Sequence, residues 1–87
     1  MYIHIGQNIS VRSGDIIGIF DMDNTTVTRT TRDYLATAER TGRVVYAGNE
    51  LPKSFIAASD KNGDAKVYIT PISALTLVKR AERKNIN

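Results

Sequence analysis

Two aspartates one residue apart, Asp21 and Asp23, directly follow the apolar stretch 16–20 of this 87-residue sequence. A carboxylate at the end of a buried strand can attack phosphorus, and a divalent cation held between two such groups neutralises the developing charge. Phosphoryl transfer is therefore the chemistry that this spacing could support. A structural alternative also fits, because acidic residues are favoured where a strand ends and a helix begins.

The stretch 17–25 resembles the first motif of haloacid-dehalogenase-type phosphatases, in which the first aspartate is the nucleophile and the second the acid/base. That family needs several βαβ units of about 30 residues each, and the sequence after Thr25 indicates only one helix, three strands and a second helix. Lys53 and the pair Asp60/Asp64 would have to supply the later motifs, but a hairpin would not bring them to the strand ends. We therefore predict that the protein is not an enzyme.

Metal and cofactor sites are also not indicated. Residues 60–65 are similar to the start of an EF-hand loop, but Ala65 stands where glycine is needed and Pro71 where glutamate is needed. The chain has no cysteine and a single histidine, His4, which cannot form a zinc site alone. P-loop and dinucleotide-binding motifs do not occur. We predict no cofactor and interpret 60–65 as a hairpin turn.

Alternation of apolar and polar residues predicts six strands, at 2–5, 9–12, 15–21, 43–47, 54–59 and 66–70. Asn62-Gly63 between the last two is a strong hairpin signal. The stretch 15–21 is apolar on both faces, so we expect it to be central and covered on both sides. The predicted core consists of residues on the apolar faces of these strands and of the last helix: Ile17, Ile19, Phe20, Val45, Phe55, Ile56, Val67, Ile69 and Leu77.

Helical periodicity occurs twice. Val27, Thr31, Tyr34, Leu35 and Ala38 recur at helical spacing, which predicts a helix from about Val27 to Thr41 with Asn24 or Thr25 near its N-cap. A second helix is expected after Ser73, with an apolar stripe that includes Leu77. The predicted fold class is therefore α+β: a small antiparallel or mixed β-sheet domain with two helices.

The length allows a single domain, at residues 1–84, with a frayed tail at 85–87. A domain of this size buries only about 60–65% of the surface of its unfolded chain, and disulfides are excluded, so we expect a homo-oligomer. The sequence has no signal peptide and no apolar run near the length of a membrane span. We therefore expect no membrane partner and a cytoplasmic location.

The charge is unevenly distributed. Residues 1–23 hold one base and three acids, for a net charge of −2, whereas residues 24–87 hold eleven bases and six acids, for +5. A basic excess is compatible with an anionic partner, although an ordinary solubilising surface would look the same. Both predicted helices carry bases opposite their apolar stripes.

Four stretches of the sequence together resemble the extracellular matrix regulatory protein B family of bacteria. They are 2–6, 15–26, 50–55 and 66–73, and the likeness covers residues 1–80. The resemblance implies kinship with matrix regulatory protein A, a DNA-binding transcriptional regulator of biofilm matrix genes. That relative is understood to form closed rings on a fold likened to LytTR-type domains. It has an arginine cluster where this sequence has Glu50 to Ser54, with Lys53 as the only base.

Two function hypotheses remain from the sequence. In the first, the protein is an oligomeric regulator, with a ring as one form of assembly, and it binds double-stranded DNA mainly through phosphates. In the second, it is a scaffold or protein-interaction subunit that binds no nucleic acid, as the low net charge and the poorly charged loop around Lys53 would suggest. The residues predicted to contact DNA are the bases of the two helices and of that loop: Arg29, Arg32, Arg40, Lys53, Lys79, Arg80 and Arg83.

Overall fold

A computed structural model describes residues 1–25 and 28–85. Strands β1 (Tyr2–Gly6) and β2 (Ile9–Arg12) form a hairpin, and a 3-10 turn (Ser13–Asp15) leads into β3 (Ile16–Asp21). A short helix α1 (Met22–Thr25), a longer helix α2 (Arg29–Arg40) and strand β4 (Val44–Tyr46) follow. The chain continues through β5 (Ser54–Ser59), β6 (Ala65–Thr70) and helix α3 (Ala74–Asn85). The predicted α+β class is confirmed, including its two long helices.

The main sheet has four strands in the order β3-β5-β6-β4. The β3–β5 and β5–β6 pairs are antiparallel, and β4 pairs with β6 in parallel. The predicted hairpin at Asn62-Gly63 joins β5 to β6. There the Asp60 carboxylate accepts the backbone N–H groups of Asn62 and Asp64, both at 2.9 Å. Both bonds lower the pKa of Asp60, and the bond from Asp64 has the larger effect.

Each face of the main sheet is covered by a different layer. Helix α2 packs on one face, where Ala38 meets Phe55 and Val67; we call this the α2 face. Helix α3 and the β1–β2 hairpin pack on the other, where Leu77 and Ile5 meet Ile56. The two long helices therefore lie on opposite sides of the sheet.

Strand β3 lies at an edge of the sheet and not at its centre, so the prediction of a central strand is wrong. The register shifts between Ile16 and Gly18, which leaves Ile17 as an extra residue in a β-bulge. Ile16 and Ile19 pack into the core on the α3 side. Ile17, by contrast, is 73% exposed. The apolar residues on both sides of this strand thus reflect a bulged edge.

The predicted core is partly confirmed. Phe55, Ile56, Val67 and Leu77 are at most 1% exposed. Ile19, Val45 and Ile69 are half-buried. The prediction is wrong for Ile17 and Phe20. Helix α2 leaves the β3 end of the α2 face uncovered, and Phe20 is 36% exposed there.

Side-chain caps define where the long helices begin. Thr28 is the N-cap of α2: its hydroxyl oxygen accepts the N–H of Thr31 at 3.2 Å. The predicted cap at Asn24 or Thr25 is wrong, because both belong to the separate helix α1; Val27, the predicted first helical residue, lies outside the described residues. Ser73 caps α3 through the N–H of Thr76 at 3.2 Å, as predicted.

The β1–β2 hairpin is held to the rest of the domain by polar contacts distant in sequence. The Thr70 hydroxyl donates to the carbonyl oxygen of Ile5, and the Arg80 guanidinium donates to that of His4 at 2.7 Å. Gly6 has φ +139° and lies very close to Ala47. A Cβ atom at position 6 would stand 2.1 Å from the carbonyl oxygen of Ala47. A side chain at position 6 is therefore incompatible with this packing. None of the helices among the described residues is long and apolar enough to cross a membrane.

Candidate nucleic-acid interface

The outer surface of α2 carries a row of arginines. Arg29, Arg32 and Arg40 are all exposed, whereas Ala38 and Leu35 on the opposite side face the sheet. At 100° per residue, Arg29 and Arg40 lie within about 20° of each other around the helix axis and Arg32 lies about 60° from Arg29. The predicted basic face of this helix is therefore present.

Local interactions orient two of these arginines. Arg29 forms an ion pair with Asp33 one turn later, with Nε and Oδ2 4.0 Å apart. Both side chains are largely exposed, so this pair adds little stability. Arg40 lies in the last turn of α2, where the helix dipole favours a cation, and its Nη2 is 3.5 Å from the Thr37 hydroxyl. Both guanidinium groups remain accessible to a ligand.

Lys53 lies in an exposed loop that is anchored by its backbone. Its N–H donates to the carbonyl oxygen of Thr70 at 2.9 Å, and its own carbonyl accepts the N–H of Met22 at 3.0 Å. These bonds place Lys53 beside Met22, the residue between Asp21 and Asp23 at the start of α1. The surroundings of this lysine are therefore acidic, which weakens the attraction of the loop for phosphate.

The predicted bases of α3 differ from one another. Lys79 is exposed, but Arg80 is half-buried and its Nη1 is bound to the carbonyl oxygen of His4. That bond fixes α3 against β1, so Arg80 has a structural role. The side chain of Arg83 lies outside the described residues.

The predicted bases whose side chains the structure describes do not form one surface. The α2 arginines and the α3 bases lie on opposite sides of the sheet, so a single duplex cannot contact both groups on one subunit. The sequence reasoning missed one base near α2. Arg43 is exposed directly after the helix, its N–H donates to the carbonyl oxygen of Ala38 at 2.8 Å, and it lines a depression between α2 and β6. Gly42, which follows the end of α2, was the sequence signal that Arg43 lies close to this helix.

One acid on α2 is bound to a neighbouring strand. The Tyr46 hydroxyl donates to Glu39 Oε2 at 2.7 Å, and this bond is the main cause of a raised pKa of Tyr46. The contact holds Glu39 towards β4. The α2 surface formed by Arg29, Arg32 and Arg40, which we call the α2 basic surface, thus contains Asp33 within its row and has Glu39 beside Arg32.

The aspartate pair is part of a helix start. The Asp21 carboxylate accepts the N–H of Asp23 at 2.8 Å, so it caps α1. Strand β3 is an antiparallel edge strand, unlike the parallel strand in the phosphatase arrangement. Among the described residues, no three side chains of the His, Cys, Asp and Glu types are grouped to hold a metal ion.

We expect Asp21→Asn to change no phosphatase activity, because the carboxylate serves α1 and wild-type protein should not hydrolyse phosphoesters. The measurement is magnesium-dependent hydrolysis of a generic phosphomonoester by both proteins. Hydrolysis by the wild type that Asp21→Asn abolishes would overturn this interpretation. Asp33→Asn, on the outer side of α2, is the matched control for loss of a carboxylate.

The fold and the site together define a small α+β domain with a basic helix surface. No protein-family model matches the sequence. The chain is 33% identical over 82 residues to extracellular matrix regulatory protein B of Bacillus subtilis (strain 168), and the alignment covers 94% of this chain and 91% of that protein. The chain belongs to the extracellular matrix regulatory protein B family.

Proposed function

We propose that this protein regulates extracellular matrix production as an oligomeric, cytoplasmic DNA-binding regulator of transcription that contacts phosphates. The name of its relative indicates matrix regulation. The observation that carries the DNA part is the α2 basic surface, where Arg29, Arg32 and Arg40 are all exposed. Arginine suits this role because its planar guanidinium binds phosphate oxygens in a bidentate manner.

The dimensions of α2 fit contacts with both walls of a DNA groove. Arg29 and Arg40 are eleven residues apart, which corresponds to about 16 Å along the helix axis. A major groove is about 12 Å wide, so the two side chains can reach phosphates on opposite strands. Such contacts fix position without reading sequence, and we expect only modest sequence preference.

Assembly would multiply a weak contact. The net charge of +3 per chain is small for a DNA-binding domain. In an oligomer the α2 basic surface repeats, and several copies acting on one duplex raise the overall affinity without any new type of contact. DNA binding is therefore proposed for the assembled protein and not for a single subunit.

A scaffold function is the second candidate, and one observation favours it. The bases of α2 and of α3 lie on opposite sides of the sheet, and Asp33 stands within the outer row of α2. A dispersed distribution of this kind is typical of a solubilising surface. In this alternative the oligomer binds other proteins and no nucleic acid.

Affinity for double-stranded DNA as a function of salt distinguishes the two candidates. If phosphates are contacted, the logarithm of the binding constant should fall linearly with the logarithm of salt concentration, with a slope near −0.9 for each contact. Fluorescence anisotropy with two unrelated duplexes should give similar slopes. Lys53→Ala should reduce the slope by about 1 if its loop contributes. The scaffold candidate is favoured if micromolar protein does not shift DNA at low salt.

A further inference from the structure

The outer edge of β3 is an open strand edge that is interrupted by the β-bulge at Ile17. No strand pairs with that side of β3 in the described part of the chain. Its sequence, IIGIFD, contains neither the lysine nor the proline that usually prevents edge-to-edge association. Ile17, in the middle of this edge, is 73% exposed. Exposed apolar edges of this kind are usually covered by another chain.

An apolar groove of about 330 Å³ lies beside this edge on the α2 face. The Phe20 and Phe55 rings stack in its wall with centroids 4.9 Å apart. Helix α2 borders the groove with Tyr34, which is 41% exposed. The groove exists because α2 covers the β4 end of the face and leaves the β3 end bare.

The opposite end of the sheet has the complementary features. Strand β4 is the other open edge, and Tyr46 on it is 53% exposed. Helix α2 covers the α2 face at this end of the sheet, whereas it leaves that face uncovered over β3. If β4 of a second copy extended the sheet beyond β3, the α2 helix of that copy would border the bare groove on its open side.

Charge favours the same arrangement. The loops and turns around β3 carry Asp15, Asp21 and Asp23, with Arg12 as the only base in residues 1–23. Arg40 and Arg43 are exposed beside β4. When β3 and the partner's β4 run the same way, Arg43 at the start of that β4 comes beside Asp15 at the start of β3. Joining two β3 edges would instead bring like charges together.

We propose that a second copy of this chain docks on the β3 edge, with its own β4 edge and α2 helix, so that the sheets become continuous. Strands β3 and β6 both run antiparallel to β5, and β4 runs parallel to β6. All three therefore point the same way, and β3 pairs with the partner's β4 in parallel. Ile17, Phe20 and Tyr34 are buried in this contact.

A contact between two different edges is head-to-tail, and it produces a closed ring when the rotation between copies closes. The inference rests on the oligomeric part of the proposed function, and it adds which surfaces meet. Masses are measured without DNA, so an intact oligomer that fails to bind DNA would contradict the proposed function alone.

The test uses light scattering on two variants, alone and mixed. Ile17→Lys places a charge on the β3 edge, and Tyr46→Lys places one on the β4 edge. Each chain has a mass of 9.6 kDa. The wild type should show a multiple of that mass at tens of micromolar, and each variant alone should be monomeric. An equimolar mixture should form heterodimers of twice the chain mass, because one unmodified edge of each kind remains.

Leu75→Lys, on α3 and 66% exposed in the wild type, is the matched control and should keep the wild-type mass. Circular dichroism checks that each variant is folded. Should one variant unfold, hydrogen exchange of the wild type provides a second measurement, because docking should protect the backbone N–H groups of β3 from exchange. A monomeric wild type, an oligomeric Ile17→Lys, or a mixture that stays monomeric would overturn the proposal. A dimeric Tyr46→Lys would show that two β3 edges meet instead.

Discussion

Replacing Phe55 by alanine is expected to lower the free energy of unfolding by about 3–5 kcal/mol. The side chain is 1% exposed, stacks on Phe20 and packs against Ala38 of α2 and Val67 of β6. Its removal leaves a cavity between the sheet and α2 that the surrounding backbone can fill only in part. Chemical denaturation monitored by circular dichroism measures the change.

Leu75→Ala is the control for this prediction, because it also removes a large apolar side chain but from a position 66% exposed. We expect it to change the free energy of unfolding by about 0.5 kcal/mol or less. Both variants are compared with the wild type at equal protein concentration, since association stabilises every folded form. A change near zero for Phe55→Ala would show that the assigned core is wrong at this position.

Reversing charge at Arg29 and Arg32 together is expected to weaken DNA binding by about 100-fold or more. Two lost charge-assisted contacts correspond to about 3 kcal/mol or more, and each factor of ten in affinity is about 1.4 kcal/mol. The loss should be similar for all DNA sequences, and the salt slope should fall by about 1 for each lost contact. Anisotropy titrations of Arg29→Glu/Arg32→Glu at several salt concentrations measure both quantities.

Lys79→Glu is the matched control for each single reversal, Arg29→Glu or Arg32→Glu, because Lys79 is exposed on α3, on the other side of the sheet. We expect its effect on affinity to be small. Arg29→Gln/Arg32→Gln separates lost contacts from the repulsion that a new acid next to Asp33 adds. Equal losses from the α2 and α3 reversals would mean that net charge, and not the α2 basic surface, governs binding.

Much of the fold could be predicted because local signals decide it. Asn62-Gly63 favours a hairpin and Ser73 a helix cap, and both were found where expected. The position of β3 could not be predicted in this way. Apolar residues on both faces of a strand are typical of a central strand, but they also occur on an edge whose partner is a different chain, and the sequence of one chain does not distinguish these cases.

The same limit applies to the site. Helical spacing was enough to place Arg29 and Arg40 on one side of α2. It could not show that α2 and α3 occupy opposite faces of the sheet, because that depends on strand order. Nor could it show that Arg80 is bound to the carbonyl oxygen of His4, a contact between residues 76 positions apart. Contacts set by topology were therefore the ones that sequence reasoning missed.

The bond between Arg80 and His4 has a consequence for the nascent chain during translation. Ile3 and Ile5 of β1 are at most 1% exposed in the folded protein, but β6 and α3, which help to bury them, are synthesised later than β1. At 5–20 residues per second, about 4–15 s pass between synthesis of His4 and synthesis of Arg80. During that interval the segments that cover the apolar side of the first hairpin have not been made, and folding completes only after the synthesis of α3.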